Sequence, residues 1–484
     1  MTTPPRTQTG DLDTAEFEAA ARRALDWTAA FLRDPERYPV LSRSRPGEIR
    51  KALPAKPPTS PEPFDAILDD FETIVVPGIT HWNHPGFFAY FANSSPAPSI
   101  VGEMLTAAIN PNGMLWKTSP AATELELVVL DWLRQMLGLP EGLFGVIQDT
   151  ASASTLVALA AAREAVPGLE SRRRGLVGQA RLRLYASEQA HSSIERAGIV
   201  LGIGQEGCRA IPVDDRFAMR PEALEAAIRE DRAAGLTPFA VVATVGTTST
   251  TSVDPVARIA DICEQERLWL HVDAAYGGAA AVLPEMRHHF AGWERADSIV
   301  FNPHKWLFVT MDLSVLFTRH RETLQKAFSI VPEYLRTPEE SVAPNLMDYG
   351  VSLGRRFRAL KLWFVLRAFG TSGIEARVRE HIRLAQVFRG WLESDPLFEV
   401  NAPSPFSNVC FRIHFPGVDD AEADRRVEAV MEAVNASGEA YISHTKLRGR
   451  ATLRLAVGNI RTEERHVRRA YDLIRAEAAA RGGS

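Results

Sequence analysis

The sequence predicts an α/β fold, with a mostly parallel central sheet covered by helices on both faces and a small α+β domain at the C-terminal end. Three observations carry this reading. Short β-branched runs alternate with helical segments between about residues 181 and 318, and strands connected through helices pair in parallel with both faces covered. Beyond about residue 371 the order loosens into helix, strand, helix, strand and helix. The length of 484 residues, with 45% hydrophobic and 24% charged side chains, is enough for an extensive interior of ordinary globular character.

Taken from the N-terminus, "DLDTAEFEAAARRALDWTAAFL" sets Asp13 as a helix cap with Glu16 three residues later, and Phe17, Ala21, Leu25 and Phe31 at helical spacing. The proline-dense "LPAKPPTSPEPF" must run extended, and "FDAILDDFETIV" resumes helical periodicity through Ile67, Leu68, Phe71 and Ile74. Helices joined by a stiff arm make a poor core of their own. Residues 1–95 are therefore expected to lie against another surface, a second subunit among the candidates.

The large domain is expected over residues 96–371. "SPAATELELVVLDWLRQMLGL" begins with a Ser119 cap and Pro120 at the first helical position. Strands follow at "RLRLYAS", "CRAIPV", "FAVVATVG", "LWLHVDA", "SIVFN" and "SVLFT", with helices at "SASTLVALAAARE", "HSSIERAGIVL", "RPEALEAAIREDRAAG" and "DPVARIADICEQE". Residues 372–484 form the small domain, with helix "GIEARVREHIRLAQVFRGWLES", strand "VCFRIHF", helix "EADRRVEAVMEAVNA", strand "ATLRLAV" and a final helix.

Composition narrows the function. A net charge of -5 offers no polycationic surface for nucleic acid. Cys208, Cys263 and Cys410 are too widely spaced for a zinc motif and too few for a disulfide framework, so a reducing cytoplasm is expected and no metal is. The start "MTTPPRTQTG" lacks an apolar signal core, and no stretch reaches the roughly 18 apolar residues of a membrane span.

Four segments carry chemistry together that none carries alone. Lys305 in "FNPHKW" follows the apolar run "ADSIVFN" and precedes "WLFV". A lysine in an arbitrary loop is solvated, but this setting desolvates the amine, and a neutral amine condenses with an aldehyde. Asp273 ends the apolar strand of "LWLHVDAAYGG"; it reads either as a cap or as the partner of a cationic heterocyclic nitrogen. Lysine and carboxylate together match the needs of pyridoxal phosphate, whose protonated ring is the electron sink, and Ala275 would present only a methyl to one ring face. "QDTASAST" opens a helix with Thr150, Ser152 and Ser154, which is ordinary capping or a phosphate site at a helix start. Thr248 in "VGTTST", with Asn302 and His304 beside the lysine, adds hydrogen-bonding groups. His191 in "EQAHSSIERAG" is either a structural cap or an imidazole stacked on the cofactor opposite Ala275. "GIGQEG" at 202–207 spells a dinucleotide fingerprint, yet it follows a helix and leads into a strand, the wrong context.

Seven segments, "HPGFFAYF", "SPAATELE", "GVIQDTAS", "QAHSSIERAG", "HVDAAYGG", "FNPHKW" and "LGRRFRALKLW", resemble the pyridoxal-phosphate-dependent aromatic-L-amino-acid decarboxylases, in the family's order from about residue 70 to 460. The resemblance implies the fold type I of pyridoxal-phosphate-dependent transferases, the aspartate-aminotransferase type, in an obligate homodimer whose N-terminal arm wraps over the partner. It implies Lys305 as the lysine joined to the cofactor, Asp273 as partner of the ring nitrogen, His191 as the stacking residue, Ala151 and Ser152 as phosphate ligands, and Thr248, Asn302 and His304 as the rest of the cofactor shell. Tyr334, in the weakly patterned region 329–354, matches the loop tyrosine that reprotonates the substrate carbon, helped by His191. Trp82, Tyr90, Phe91 and Asn93 resemble the wall of the aromatic substrate pocket, with Met114 coming from the partner subunit; core packing is an equal reading for the aromatic three. Where mammalian members have Pro-Thr after "FAYF", this chain has Ala92 and Asn93, which alters the contact to a ring hydroxyl.

The expected reaction is decarboxylation of an aromatic L-amino acid (tryptophan, tyrosine, phenylalanine or dihydroxyphenylalanine) to the arylalkylamine and CO2. Alternatives are an aromatic aldehyde synthase acting by oxidative decarboxylation-deamination, a decarboxylase of non-aromatic amino acids, a transaminase that holds the substrate carboxylate on Arg454, and a non-catalytic paralogue.

Overall fold

The computed structural model describes residues 11–330, 339 and 343–482. Its larger sheet contains β1 (Phe144–Gln148), β2 (Leu182–Ser187), β3 (Cys208–Ile211), β4 (Thr237–Thr244), β5 (Trp269–Asp273), β6 (Ser298–Phe301) and β7 (Ser314–Thr318). The spatial order is β1-β7-β6-β5-β4-β2-β3. β7 pairs antiparallel with both β1 and β6, and the remaining pairings are parallel. Every residue of β5, β6 and β7 is buried, as expected where helices cover both faces and the sequence reads as continuous apolar runs.

The six strands expected from the sequence are among these, with ends shifted by at most two residues. β1 is an addition: "FGVIQ" is short and runs straight into the Thr150 cap, so it carries no period of its own. The helices Ala151–Glu164, Ser193–Val200, Pro221–Ala233 and Val256–Glu266 lie where their periodicity puts them. "GIGQEG" turns through Gly202 and Gly204, both at positive φ, into β3, so no helix start follows it.

A second sheet contains β8 (Phe398–Val400), β9 (Asn408–Ile413), β10 (Ser443–Leu447) and β11 (Arg450–Ala456), in the order β10-β11-β9-β8 with antiparallel pairings. It has its own core, in which Leu384, Phe388, Phe411, Val427, Leu453 and Ile474 pack together. β8 and β10 are further additions, since "FEV" is too short and "SHTKL" too polar to read as strands. The helix Ala359–Glu393 passes from the first core to the second and breaks at Gly370, whose backbone (φ 62, ψ 169) is left-handed.

At the N-terminal end, the helix Thr14–Arg33 is capped by Asp13, which accepts from Glu16 N at 2.8 Å. It buries only Ala20 and leaves Phe17 57% and Leu25 60% exposed. The helix Ala97–Ile109 likewise leaves Met104 and Ile109 exposed. Among the described residues, no helix is long and apolar enough to cross a membrane.

Candidate active site

The C-terminal ends of parallel strands are where α/β sheets place their ligands, and the chemistry-bearing segments meet there. Asp273 is the last residue of β5, in register with Thr244 of β4 and Val300 of β6. It is buried, and one carboxylate oxygen accepts from Ala275 N at 3.0 Å. The chain leaving β6 returns beside it, with Asn302 N donating to the Ala275 carbonyl at 3.1 Å. Asn302 precedes the short helix Pro303–Trp306, where proline at the first position presets the turn. Trp306, Leu307 and Phe308 are wholly buried behind Lys305.

Burial pushes the Lys305 amine below its ordinary range, and the charge of Asp273 offsets part of that fall. The Lys305 Nζ stands 5.4 Å from the centroid of the Phe91 ring. His304 is held to about 4 by burial, with Lys305 adding to the fall, so it is neutral at physiological pH. Its Nδ1 accepts from Leu313 N at 2.9 Å, which puts the imidazole proton on Nε2. The amide of Asn302 faces that nitrogen at 3.4 Å. An oxygen is the complementary group for an N–H donor, and in that orientation the Asn302 NH2 turns toward the cavity.

The far end of the site is the start of the helix Ala151–Glu164. Thr150 caps it, its hydroxyl accepting from Ala153 N at 3.5 Å. The amides of Ala151 and Ser152 belong to the first turn, where helix geometry provides no intrahelical acceptor and the macrodipole is positive. Ser154 turns away to bond Ser314 at 2.8 Å, and Thr155 lies 3.5 Å from His271. His191 stands at the rim, its Nδ1 accepting from Ser193 N at 3.1 Å and paired with the Ser193 hydroxyl at 2.8 Å. Desolvation and the nearby Lys305 lower its proton affinity.

One cavity of about 210 Å³ gathers these groups: its walls include Ala151, Ser152, His191, Thr248, Asp273, Ala275, Asn302, His304, Lys305 and Phe91. Thr244, Gly246, Ser193 and Tyr276 also line it and were not singled out from sequence. Gly246, Tyr276 and Ser193 lie inside the segments "VGTTST", "HVDAAYGG" and "QAHSSIERAG", whereas Thr244 has no signal beyond its place at a strand end. The other expected substrate-wall residues do not line this cavity. Trp82 stacks on Phe87 and Tyr90 at 4.4 and 5.7 Å between ring centroids. Asn93 Nδ2 lies 3.5 Å from Met311 Sδ, and Met114 packs by Leu115 and Met347. Tyr334 lies outside the described residues. A larger open cleft of about 520 Å³, around Arg216, Arg258 and His289, contains none of the expected site residues.

The expectation that Arg454 could hold a substrate carboxylate is corrected by its geometry. Its Nε donates to Ser249 O and its Nη2 to Thr248 O, both at 2.7 Å, and its Nη1 to the Ser443 hydroxyl at 3.0 Å. The guanidinium fork is occupied by the protein itself.

The cavity fits pyridoxal phosphate. A buried hydroxyl on its wall, Thr244 Oγ1, has no partner among the described residues, and the Asn302 NH2 is turned to the same space, as expected where a polar ligand completes the bonding. An amine and a carboxylate face the same space, and a helix start lies at one end. Among the described residues, no cluster of His, Cys, Asp or Glu is suited to a metal ion.

The buried imidazoles have a consequence for stability. His84, His271, His304 and His381 are all held to about 4, chiefly by burial, against about 6.5 in an unfolded chain. Between those values the unfolded state binds more protons, so stability falls as pH drops from 6.5 toward 4. Asp254, raised to about 6 by burial, acts oppositely but is one group against four. Each histidine contributes about 2 kcal/mol between pH 7 and pH 5. The urea midpoint is therefore expected to be clearly lower at pH 5 than at pH 7; an unchanged midpoint would contradict the burial of these imidazoles.

Comparison with known proteins shows the family. The model of the pyridoxal-dependent decarboxylase conserved domain matches residues 46–414. The aromatic-L-amino-acid decarboxylase of Sus scrofa is 42% identical over 482 residues, covering 97% of each chain. A phenylacetaldehyde synthase of Arabidopsis thaliana is 40% identical over 478 residues, again covering 97% of each. The crystal structure of Oryza sativa TDC with PLP and tryptamine superposes with a TM-score of 0.95 at 39% identity, covering 98% of this chain and 100% of that one. The fold is thus the fold type I expected from the resemblance, and the chain belongs to the pyridoxal-dependent decarboxylase family.

Proposed function

We propose that this protein decarboxylates an aromatic L-amino acid to the corresponding arylalkylamine and CO2, using pyridoxal 5'-phosphate. The observation that carries this reading is the shared cavity of Lys305, Asp273, His191 and the amides of Ala151 and Ser152. When bound, pyridoxal phosphate supplies a conjugated pyridinium that accepts the electron pair left by the departing carboxyl group.

The residues divide the remaining work. Lys305, whose burial favours the free amine, would bind the aldehyde carbon and exchange with the substrate amino group. Asp273, fixed by the Ala275 amide, would keep the ring nitrogen protonated. The Ala151 and Ser152 amides would hold the phosphate, while Thr248, Asn302 and His304 complete the shell. His191, its ring fixed by Ser193, would stack on one face with the methyl of Ala275 on the other. Tyr334, with His191 assisting, would deliver the proton that replaces CO2 on the α-carbon.

An aromatic substrate is supported by Phe91, which lines the cavity and stacks on Tyr276 at 3.7 Å. Trp82, Tyr90 and Asn93, with Met114 from a partner subunit, would complete the pocket in a homodimer. The exposed apolar residues of the helices Thr14–Arg33 and Ala97–Ile109 support such a pairing. Three free cysteines support a reducing cytoplasm.

The likeness to a phenylacetaldehyde synthase gives the second reading weight, and one assay separates the two. The purified protein with pyridoxal phosphate is offered tryptophan, tyrosine, phenylalanine, dihydroxyphenylalanine and glutamate. Amine in equal amount to CO2, from the aromatic acids alone, is expected. Aldehyde and peroxide in place of amine would assign the oxidative reaction, and glutamate as the preferred substrate would overturn the aromatic assignment.

A further inference from the structure

Arg454 lies in β11 of the second sheet, yet its fork closes on a turn of the first. It is 4% exposed, and no carboxylate pairs with it among the described residues. A buried cation held only by neutral acceptors is costly, so its position calls for a reason.

The turn it grips runs from Val245 to Val253 and is closed by a bridge between those residues. Inside it, the hydroxyls of Thr247, Thr250 and Ser252 form a chain with spacings of 2.9 and 2.7 Å. Thr251 N closes the turn on Thr247 O at 2.8 Å, and the tip this spans, Thr248–Ser249, is held from outside by the second sheet. Ser249 O accepts from Arg454 Nε at 2.7 Å, Asn408 Nδ2 at 3.2 Å and Cys410 Sγ at 3.1 Å. The Ser249 hydroxyl pairs with Thr445 at 3.0 Å, and Thr248 O accepts from Arg454 Nη2. Thr248 is a wall of the cavity. The Arg454 guanidinium carbon also stands 5.4 Å from the Phe91 ring centroid, the same ring that the Lys305 amine faces at 5.4 Å.

We infer that Arg454 is a positioning residue that locks the Thr248 turn and the Phe91 ring against the cofactor cavity, so that the second sheet sets the geometry of cofactor and substrate binding. This rests on the decarboxylase reading above. Lysine at 454 keeps the charge but reaches one acceptor, and glutamine loses both charge and fork.

The test compares wild type, Arg454→Lys and Arg454→Gln by the dissociation constant for pyridoxal phosphate, the phosphorus NMR shift of the bound phosphate, kcat and KM, and the melting temperature without cofactor. Arg454→Gln is expected to raise the dissociation constant about tenfold to a hundredfold, the worth of one or two charge-assisted hydrogen bonds. It should also shift the phosphate resonance and raise KM, with Arg454→Lys intermediate. A lower melting temperature with the dissociation constant and phosphate resonance of wild type would show a merely structural residue and overturn the inference. If Arg454→Gln does not fold, Thr445→Val and Cys410→Ala each remove one grip on Ser249, and unchanged cofactor binding in both would overturn it equally. Failure of the wild type to bind pyridoxal phosphate would instead sink the proposed function.

Discussion

Lys305→Ala is expected to abolish turnover, by more than about 1000-fold, while leaving the fold intact. The amine faces the Phe91 ring, the residues that follow it, Trp306, Leu307 and Phe308, are wholly buried, and its backbone amide bonds Asn302 O at 3.0 Å. Alanine keeps that backbone bond, so the short helix persists. Burying the amine is itself unfavourable, so its removal should not lower the melting temperature of the cofactor-free protein. Steady-state release of CO2 from an aromatic amino acid checks the first point and a thermal scan the second. Retained multiple turnover would contradict the role given to Lys305.

Asp273→Asn is expected to reduce kcat by about two to four decades. Asparagine preserves the size of the side chain and an oxygen for the Ala275 amide, so the change is confined to charge. A buried cation deprived of its counter-ion loses about 3–5 kcal/mol, and each 1.36 kcal/mol is tenfold in rate. The loss should appear in kcat with little change in melting temperature. Rates within tenfold of wild type would show that Asp273 is a structural cap, the other reading its sequence allowed.

Much of this was legible in the chain. The six apolar strand runs and their intervening helices are read directly from periodicity, because a sheet buried on both faces leaves no polar alternation to confuse the pattern. Lys305 and Asp273 were legible for the same reason, being ionisable residues at the ends of apolar strands. β1, β8 and β10 were missed for different physical reasons: β1 merges into a capping sequence, β8 has three residues, and the alternating exposure of β10 leaves it polar. Arg454 was legible as a cation in a strand but not as a clamp. Its acceptors, the carbonyls of Thr248 and Ser249, lie about 200 residues away and carry no side-chain signal. The substrate wall divides likewise: Phe91 alternates inward to the cavity, while Tyr90, at positive φ, turns toward Tyr441, their hydroxyls 3.3 Å apart.

The central claim is that Lys305 is the residue to which the cofactor's aldehyde is joined. Reducing the pyridoxal-phosphate-loaded protein with borohydride, digesting it and locating the added mass by tandem mass spectrometry tests this most directly. The expected result is a single labelled peptide containing "FNPHKW", with the mass on Lys305. Label on another lysine, such as the buried Lys361, or no stable label at all, would contradict it.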